Sequence, residues 1–196
     1  MSIAFRVVRD FEQALCDYTG ARYAVTTNSC TNALLLCLKY KQVRNVWIPK
    51  YTYVGVPQSI INAGAAVRFD DRDWRGSYSL NPYPIYDSAR RFTSGMYRGG
   101  FECVSFHVSK ILGIDRGGAI LLNDDAAYYM LRRMRYDGRA EDVDPKDDKF
   151  VRGWQCYMSP GTAAEGLRRL SYLPKHNDDL PNSDYPDLSL TDWNSL

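Results

Sequence analysis

Short apolar strands alternate with helix-period segments along most of this chain, and that alternation restricts its fold more than any other feature. Asp10 to Tyr18 has helical spacing and stops at Gly20, and a β-rich run from Tyr23 to Thr27 follows. Thr31 to Lys41 reads as a strongly apolar helix, Val46 to Ile48 as a buried strand closed by Pro49, and Val54 to Ala63 as a helix stopped by Gly64. Strands are expected at Ala66 to Phe69, Pro84 to Asp87, Cys103 to Val108 and Gly118 to Asn123, with a helix from Asp124 to Tyr136. Arginines in the last turns of that helix complement its dipole. A further helix starts at Ser159-Pro160, where proline suits the first helical position, and runs toward Leu170. Such β-α-β units predict an α/β chain, a three-layer αβα arrangement around a mostly parallel sheet. The stretches Asp70 to Asn81 and Ala140 to Lys149 read as loops. Residues 1–172 are expected to form one domain, and the Asp-, Asn- and Pro-rich residues 173–196 an extended or disordered tail.

With 196 residues the chain matches the usual span of one domain, roughly 100–200 residues. A formal net charge of +2, with the arginines scattered, gives no reason to expect a nucleic-acid partner. Five cysteines, odd in number and without CxxC spacing, read as buried thiols in a reducing compartment. No apolar stretch approaches the ~20 residues needed to cross a bilayer, and the start of the chain lacks a signal-peptide core. The expectation is a cytoplasmic protein with no membrane partner.

Four segments at expected strand ends carry chemistry. Lys110, in V-S-F-H-V-S-K-I-L-G-I-D-R-G-G-A-I, sits before a glycine-rich turn; there an amine can act as a Schiff-base nucleophile if burial or nearby positive charge disfavours its charged form. A solvated surface lysine is the plain alternative. In T-T-N-S-C-T-N-A-L, a strand leads into a helix whose first amides, at Cys30, Thr31 and Asn32, make an anion site suited to a phosphate, or simply an N-cap at Asn28 or Ser29. In I-P-K-Y-T-Y-V-G, Tyr53 could stack on a flat ring or pack on the rim. In P-I-Y-D-S-A-R-R, Asp87 could face a protonated pyridine nitrogen, cap a helix, or pair with Arg90 or Arg91. In open α/β sheets ligands lie at the carboxyl ends of strands, so the four together point to pyridoxal 5'-phosphate. His107 reads as a packed residue and His176 as solvated.

These segments make the chain resemble the DegT/DnrJ/EryC1/StrS sugar aminotransferases, pyridoxal-phosphate enzymes of the aspartate-aminotransferase fold. The likeness runs from about Phe11 to Leu170 and includes P-K-Y-T-Y-V, D-S-A-R for the family's D-x-A-Q, S-F-H-V-S-K for S-F-x-x-x-K, and G-W-Q-C-Y-M-S for G-x-N-x-R-M. It implies that Lys110 binds the cofactor covalently, Asp87 meets the pyridine nitrogen and Tyr53 stacks on the ring. It further implies that Ser105 and the amides of Cys30 and Thr31 hold the phosphate. Arg90 falls where the family has a glutamine near the ring hydroxyl, and Gln155 where it has an asparagine that reaches the phosphate of the neighbouring subunit. The implied enzyme is a homodimer with shared sites, taking an amino group from glutamate or glutamine to a nucleotide-linked keto sugar. Relative to the family, the chain has a short linker between Phe69 and Tyr86 and no small C-terminal domain after Leu170, so a reduced large domain is expected. Lys110, where the family's dehydratases have histidine, favours transamination. The alternative is a non-catalytic dimerisation or binding module that keeps the shell of the cofactor domain.

Overall fold

A computed structural model describes residues 5–193. Helices α1 (Arg6–Thr19), α2 (Cys30–Tyr40), α3 (Gly55–Asn62), α4 (Asp125–Met134) and α5 (Pro160–Leu170) are interleaved with strands β1 (Tyr23–Thr27), β2 (Asn45–Pro49), β3 (Ala66–Asp70), β4 (Tyr78–Ser79), β5 (Ile85–Asp87), β6 (Phe101–Ser105) and β7 (Gly118–Leu122). The α/β class holds, but the sheet is mixed. Its order is β1-β7-β6-β5-β4, with β2 and β3 forming a separate pair. Pairs β5/β6 and β2/β3 are parallel; β1/β7, β6/β7 and β4/β5 are antiparallel. Consequently β1, β5 and β6 point one way and β7 and β4 the other. The parallel expectation came from counting crossovers, and β6 to β7 is a link that turns the chain back on itself.

Alternation along the strands divides the core in two. Val25, Cys103, Ile120 and Leu122 pack on one face with α2, α3 and α4, whereas Ala24, Val104, Ala119 and Leu121 pack on the other with α1 and α5. This gives three layers. Helix α2 is apolar nearly all round, with Leu34, Leu36, Cys37 and Leu38 at most 1% exposed, as expected of a helix enclosed by the core. Each such leucine contributes about 1.5–3 kcal/mol on burial. The helix starts cleanly because Ser29 Oγ accepts from the Asn32 amide at 3.1 Å. Asp124 and Ser159 cap α4 and α5 in the same way.

Two local expectations change. The strand expected from Cys103 to Val108 ends at Ser105. Phe106 turns its amide to the Gly117 carbonyl at 2.9 Å, and His107 to Lys110 form a turn closed by the Lys110 amide on the His107 carbonyl at 2.8 Å. Within the stretch expected to be a loop, Tyr78–Ser79 pairs antiparallel with Tyr86 and Asp87 as an edge strand. The chain beyond Leu170 runs without regular structure until a 3-10 turn at Leu188–Leu190, and it lies along the molecule. Tyr18 Oη donates to the Pro174 carbonyl at 2.6 Å, and Leu188 and Trp193 are buried in the α2-side core.

Candidate functional site

Strands β1, β5 and β6 end at the same edge of the sheet, and the segments leaving them frame a cavity of about 590 Å³. Asn28 to Thr31 follow β1, Asp87 to Arg90 follow β5, and Ser105 to Lys110 follow β6. Thr52 and Tyr53, after β2, and Gly117, before β7, complete the inner wall.

At the first station, α2 aims its N-terminus at the cavity. Thr27 Oγ1 donates to the Ser29 carbonyl at 2.9 Å, fixing the turn, while the Cys30 and Thr31 amides belong to the first helical turn. The turn sits against the start of β7: a Cβ on Gly118 would lie 2.5 Å from the Cys30 backbone nitrogen. Only a residue without a side chain permits that approach. The electropositive end of α2 and the Ser105 hydroxyl therefore face the same space, a setting suited to an anion.

Asp87 closes the other end. It is 5% exposed, and both carboxylate oxygens are held: Oδ1 accepts from the Ala89 amide at 3.0 Å and Oδ2 from Tyr78 Oη at 2.9 Å. Tyr78 is in turn bonded to Thr52 Oγ1 at 2.6 Å. Burial pushes the Asp87 carboxyl up from its ordinary range; the Ala89 amide, the Tyr78 hydroxyl and the charges of Lys110 and Arg90 pull it back. Asp87 is thus a fixed acid with a large desolvation cost and a side open to the cavity.

Lys110 reaches the cavity from the turn after β6 and is half-buried. Its charge acts on both Asp87 and Cys30, whose thiol is raised mainly by burial and lowered by Lys110. His107, exposed, accepts at Nδ1 from the Ser109 amide at 3.3 Å and so stiffens that turn. Tyr53, 56% exposed, leans over the cavity against Gly55, where a Cβ would come within 2.7 Å of the ring and 2.9 Å of Thr31 Oγ1.

Cys30, Thr31, Tyr53, Asp87, Arg90, Ser105 and Lys110 thus line one cavity. Gln155 does not: it is exposed and pairs through its backbone with Tyr136, although the carbonyl of its neighbour Cys156 accepts from the amide of Asn28 on the cavity wall. Arg90 is on the wall, but its guanidinium is turned to the C-terminal segment, donating to the Pro181 carbonyl, Ser183 Oγ and Tyr185 Oη. The alternative in which Arg90 pairs with Asp87 gives way to these contacts, which involve residues 91 or more positions away. Arg91 likewise pairs with Asp179, at 2.6 Å. Sequence reading missed Trp74, Tyr78, Thr52, Ser183 and Tyr185. Tyr78 was accessible in principle, because Tyr78 and Ser79 alternate with Leu80 as an edge strand would.

A pyridoxal phosphate needs an anion cradle, an acid for its ring nitrogen, an aromatic face and an amine. These residues fit it. The decisive feature is a buried carboxylate anchored by two neutral donors, with no ion pair among the described residues.

Residues 3–97 and 85–179 match the DegT/DnrJ/EryC1/StrS aminotransferase family. The spore coat polysaccharide biosynthesis protein SpsC of Bacillus subtilis is 28% identical over 141 residues, covering 69% of this chain and 36% of that protein. GDP-perosamine synthase of Caulobacter vibrioides is 26% identical, covering 87% of this chain and 58% of the synthase. The crystal structure of NtdA from Bacillus subtilis with bound cofactor PMP superposes with a TM-score of 0.72 at 19% identity, over 85% of this chain and 48% of that one. The chain therefore spans about a third to three-fifths of the curated relatives it matches. With the family match extending over most of its length, the chain belongs to the DegT/DnrJ/EryC1/StrS aminotransferase family.

Proposed function

We propose that this chain binds pyridoxal 5'-phosphate and uses it to transfer an amino group from glutamate or glutamine to a nucleotide-linked keto sugar. The observation that carries the reading is Asp87, a buried carboxylate on the wall of a cavity that a helix N-terminus and Lys110 also line. A protonated ring nitrogen against Asp87 would offset its desolvation. The relative GDP-perosamine synthase supports a sugar as acceptor.

When bound, pyridoxal phosphate supplies an aldehyde that exchanges amino groups and an electron-poor ring that takes up carbanion density. Each residue then has one task. Asp87 retains the proton on the ring nitrogen, its position fixed by Ala89 and Tyr78. The amides of Cys30 and Thr31 and the Ser105 hydroxyl bind the phosphate. Tyr53 covers a ring face. The Lys110 amine would hold the cofactor through its aldehyde carbon and, when free, would serve as the base that carries the proton of the donor's α-carbon. Gln155, exposed and not lining this cavity, would serve the site of a second subunit in a homodimer.

Two steps test the reading. Added pyridoxal phosphate should give a visible absorbance that disappears on borohydride reduction, with the added mass on the Lys110 peptide; Lys110→Ala should lose that mass while keeping the far-ultraviolet circular dichroism. L-Glutamate should then convert the bound cofactor to its amine form. Retained covalent mass in Lys110→Ala sinks the lysine assignment. Binding without conversion by glutamate or glutamine favours a non-catalytic module, a reading to which the engagement of Arg90 by the C-terminal segment lends weight.

A further inference from the structure

The C-terminal segment after α5 is anchored at two places on either side of the cavity. Before the cavity, Arg91 grips Asp179 through two hydrogen bonds of 2.9 and 2.6 Å, and the Leu180 amide donates to the Arg90 carbonyl at 2.9 Å. After it, Lys50 approaches Asp187 at 3.5 Å, the Leu188 amide donates to the Lys50 carbonyl at 3.0 Å, and Leu188 and Trp193 are buried. The seven residues between, 180–186, form no helix or strand, and Ser183 and Tyr185 from this span reach the cavity wall.

Arg90 holds that span. It is 9% exposed, donates to Pro181, Ser183 and Tyr185, and lies 5.6 Å from the Tyr185 ring centroid. Burying a guanidinium costs several kcal/mol unless its donors are satisfied, and here the satisfying acceptors all come from the strap. Trp74 supports it from the opposite side, with its ring 6.3 Å from that of Tyr185 at an interplanar angle of 20° and its carbonyl accepting from Asn182 Nδ2 at 2.5 Å. Trp74 also lines the cavity. Two nearly parallel aromatic rings beside a pair of hydroxyls, with the Arg90 guanidinium already engaged by the strap, suit a ligand that has C–H faces and equatorial hydroxyls and carries no charge at that point.

We propose that residues 180–186 are the acceptor-side wall of the site, with Trp74, Tyr185 and Ser183 contacting the hexose ring of the acceptor and Arg90 acting as the positioning residue that holds them there. The proposal rests on the aminotransferase reading for the identity of the acceptor, and it assigns to this strap a specificity role that lies outside the cofactor cradle.

Saturation-transfer nuclear magnetic resonance with two stable nucleotide-linked hexoses, UDP-N-acetylglucosamine and GDP-mannose, tests it on the protein loaded with pyridoxal phosphate. For at least one probe, transfer to the hexose ring protons is expected in the unmodified protein. Tyr185→Ala and Trp74→Ala should each lower it about 5-fold or more, while borohydride-fixed cofactor on Lys110 changes by less than about 2-fold. Arg90→Ala should raise amide exchange across residues 180–186 and lower the transfer, and Arg90→Lys should restore part of both. Absence of transfer from both probes, unchanged transfer in Tyr185→Ala and Trp74→Ala, or unaltered exchange in Arg90→Ala overturns the proposal. If the unmodified protein takes no cofactor yet shows strap-dependent hexose transfer, the aminotransferase reading fails and the wall stands. Cofactor fixation without strap dependence gives the reverse result.

Discussion

At Asp87 stability and function oppose each other. Its folded-state pKa is raised, chiefly by burial, so the protonated carboxyl is favoured in the native state. The native chain therefore holds its proton to higher pH than the unfolded chain, and the associated stability is present at low pH and lost as pH rises through the raised pKa. Above that raised pKa the cofactor-free protein bears a buried charge that it would be more stable without. Asp87→Asn can keep the geometry, because an amide oxygen still accepts from Ala89 and its nitrogen can donate to the Tyr78 oxygen. The expected outcome is an unchanged or slightly raised melting temperature at pH 7 without cofactor, and a loss of roughly 10-fold or more in pyridoxal phosphate affinity, read by absorbance titration. Reduced stability together with unchanged affinity would remove Asp87 from the site. Gly55→Ala makes the complementary case. The new methyl would sit 2.7 Å from the Tyr53 ring, which is 56% exposed and free to swing away. Cofactor affinity should fall about 3-fold or more while the melting temperature shifts by less than about 2 °C, since no buried packing is lost. These residues were legible because each follows a strand, where a sheet's ligands gather. Arg90 was legible in position only, since the partners that claim its guanidinium lie 91 to 95 residues along the chain and no local pattern encodes them.

At the scale of elements, a buried ion network joins the end of α4 to both sides of β1. Arg135, 1% exposed, donates to Glu12 on α1, to Thr26 on β1 and to Glu141 at 2.8 Å. Glu12 Oε1 also accepts from the Thr26 amide and hydroxyl, each at 2.8 Å. Thr26 lies two residues before Asn28, so the network fixes the strand that delivers the α2 N-terminus to the cavity. Glu141 is half a step from solvent. Burial opposes its charged form, but Arg135 and Arg132 outweigh that and hold its carboxyl at about 2. A depressed acid contributes stability above its unfolded pKa of ~4.5 and loses it as pH falls toward 2, at about 1.4 kcal/mol per unit. Glu141→Gln should therefore lower the urea midpoint at pH 7 and flatten its decline between pH 4.5 and 2.5. An equally steep acid decline in that variant would show that Glu141 is not the titrating group. The sequence placed α4 and β1 well, because helix period and apolar runs are local signals. It read Ala140 to Lys149 as a plain loop, since charge pairing with a buried arginine leaves no periodic trace. The end of β6 was missed for a related reason: S-F-H-V-S keeps the strand pattern of alternation, while the turn is set by the His107 ring and carbonyl and by the Gly117 carbonyl opposite.

For the whole molecule the question is how a chain that spans only part of its relatives' length closes its cavity. The strap contributes by placing Ser183 and Tyr185 on the cavity wall and burying Leu188 and Trp193 further along, where Trp193 meets Phe69 with ring centroids 6.4 Å apart. Composition gave the sequence reading no more than an extended or disordered tail here, because a segment with Asp, Asn and Pro in plenty has too little apolar periodicity to reveal its anchors. What orders it is a few strong points: the Arg91–Asp179 pair, the Arg90 clamp, and two apolar side chains at its far end. The far anchor can be removed without touching the cavity by ending the chain after Pro186, which takes away Asp187, Leu188 and Trp193. Exposing a leucine and a tryptophan forfeits about 1.5–3 kcal/mol each, and for a domain of this size each kcal/mol lowers the melting temperature by about 2–4 °C. A drop of roughly 6–24 °C is expected by calorimetry. Amide exchange should accelerate across residues 180–186, because their near anchor alone cannot hold both ends, while α1 and α5 on the opposite layer keep their protection. Undiminished protection at Ser183 and Tyr185 would mean that Arg90 and Arg91 suffice, and that the buried pair stabilises the α2-side core without setting the shape of the cavity mouth.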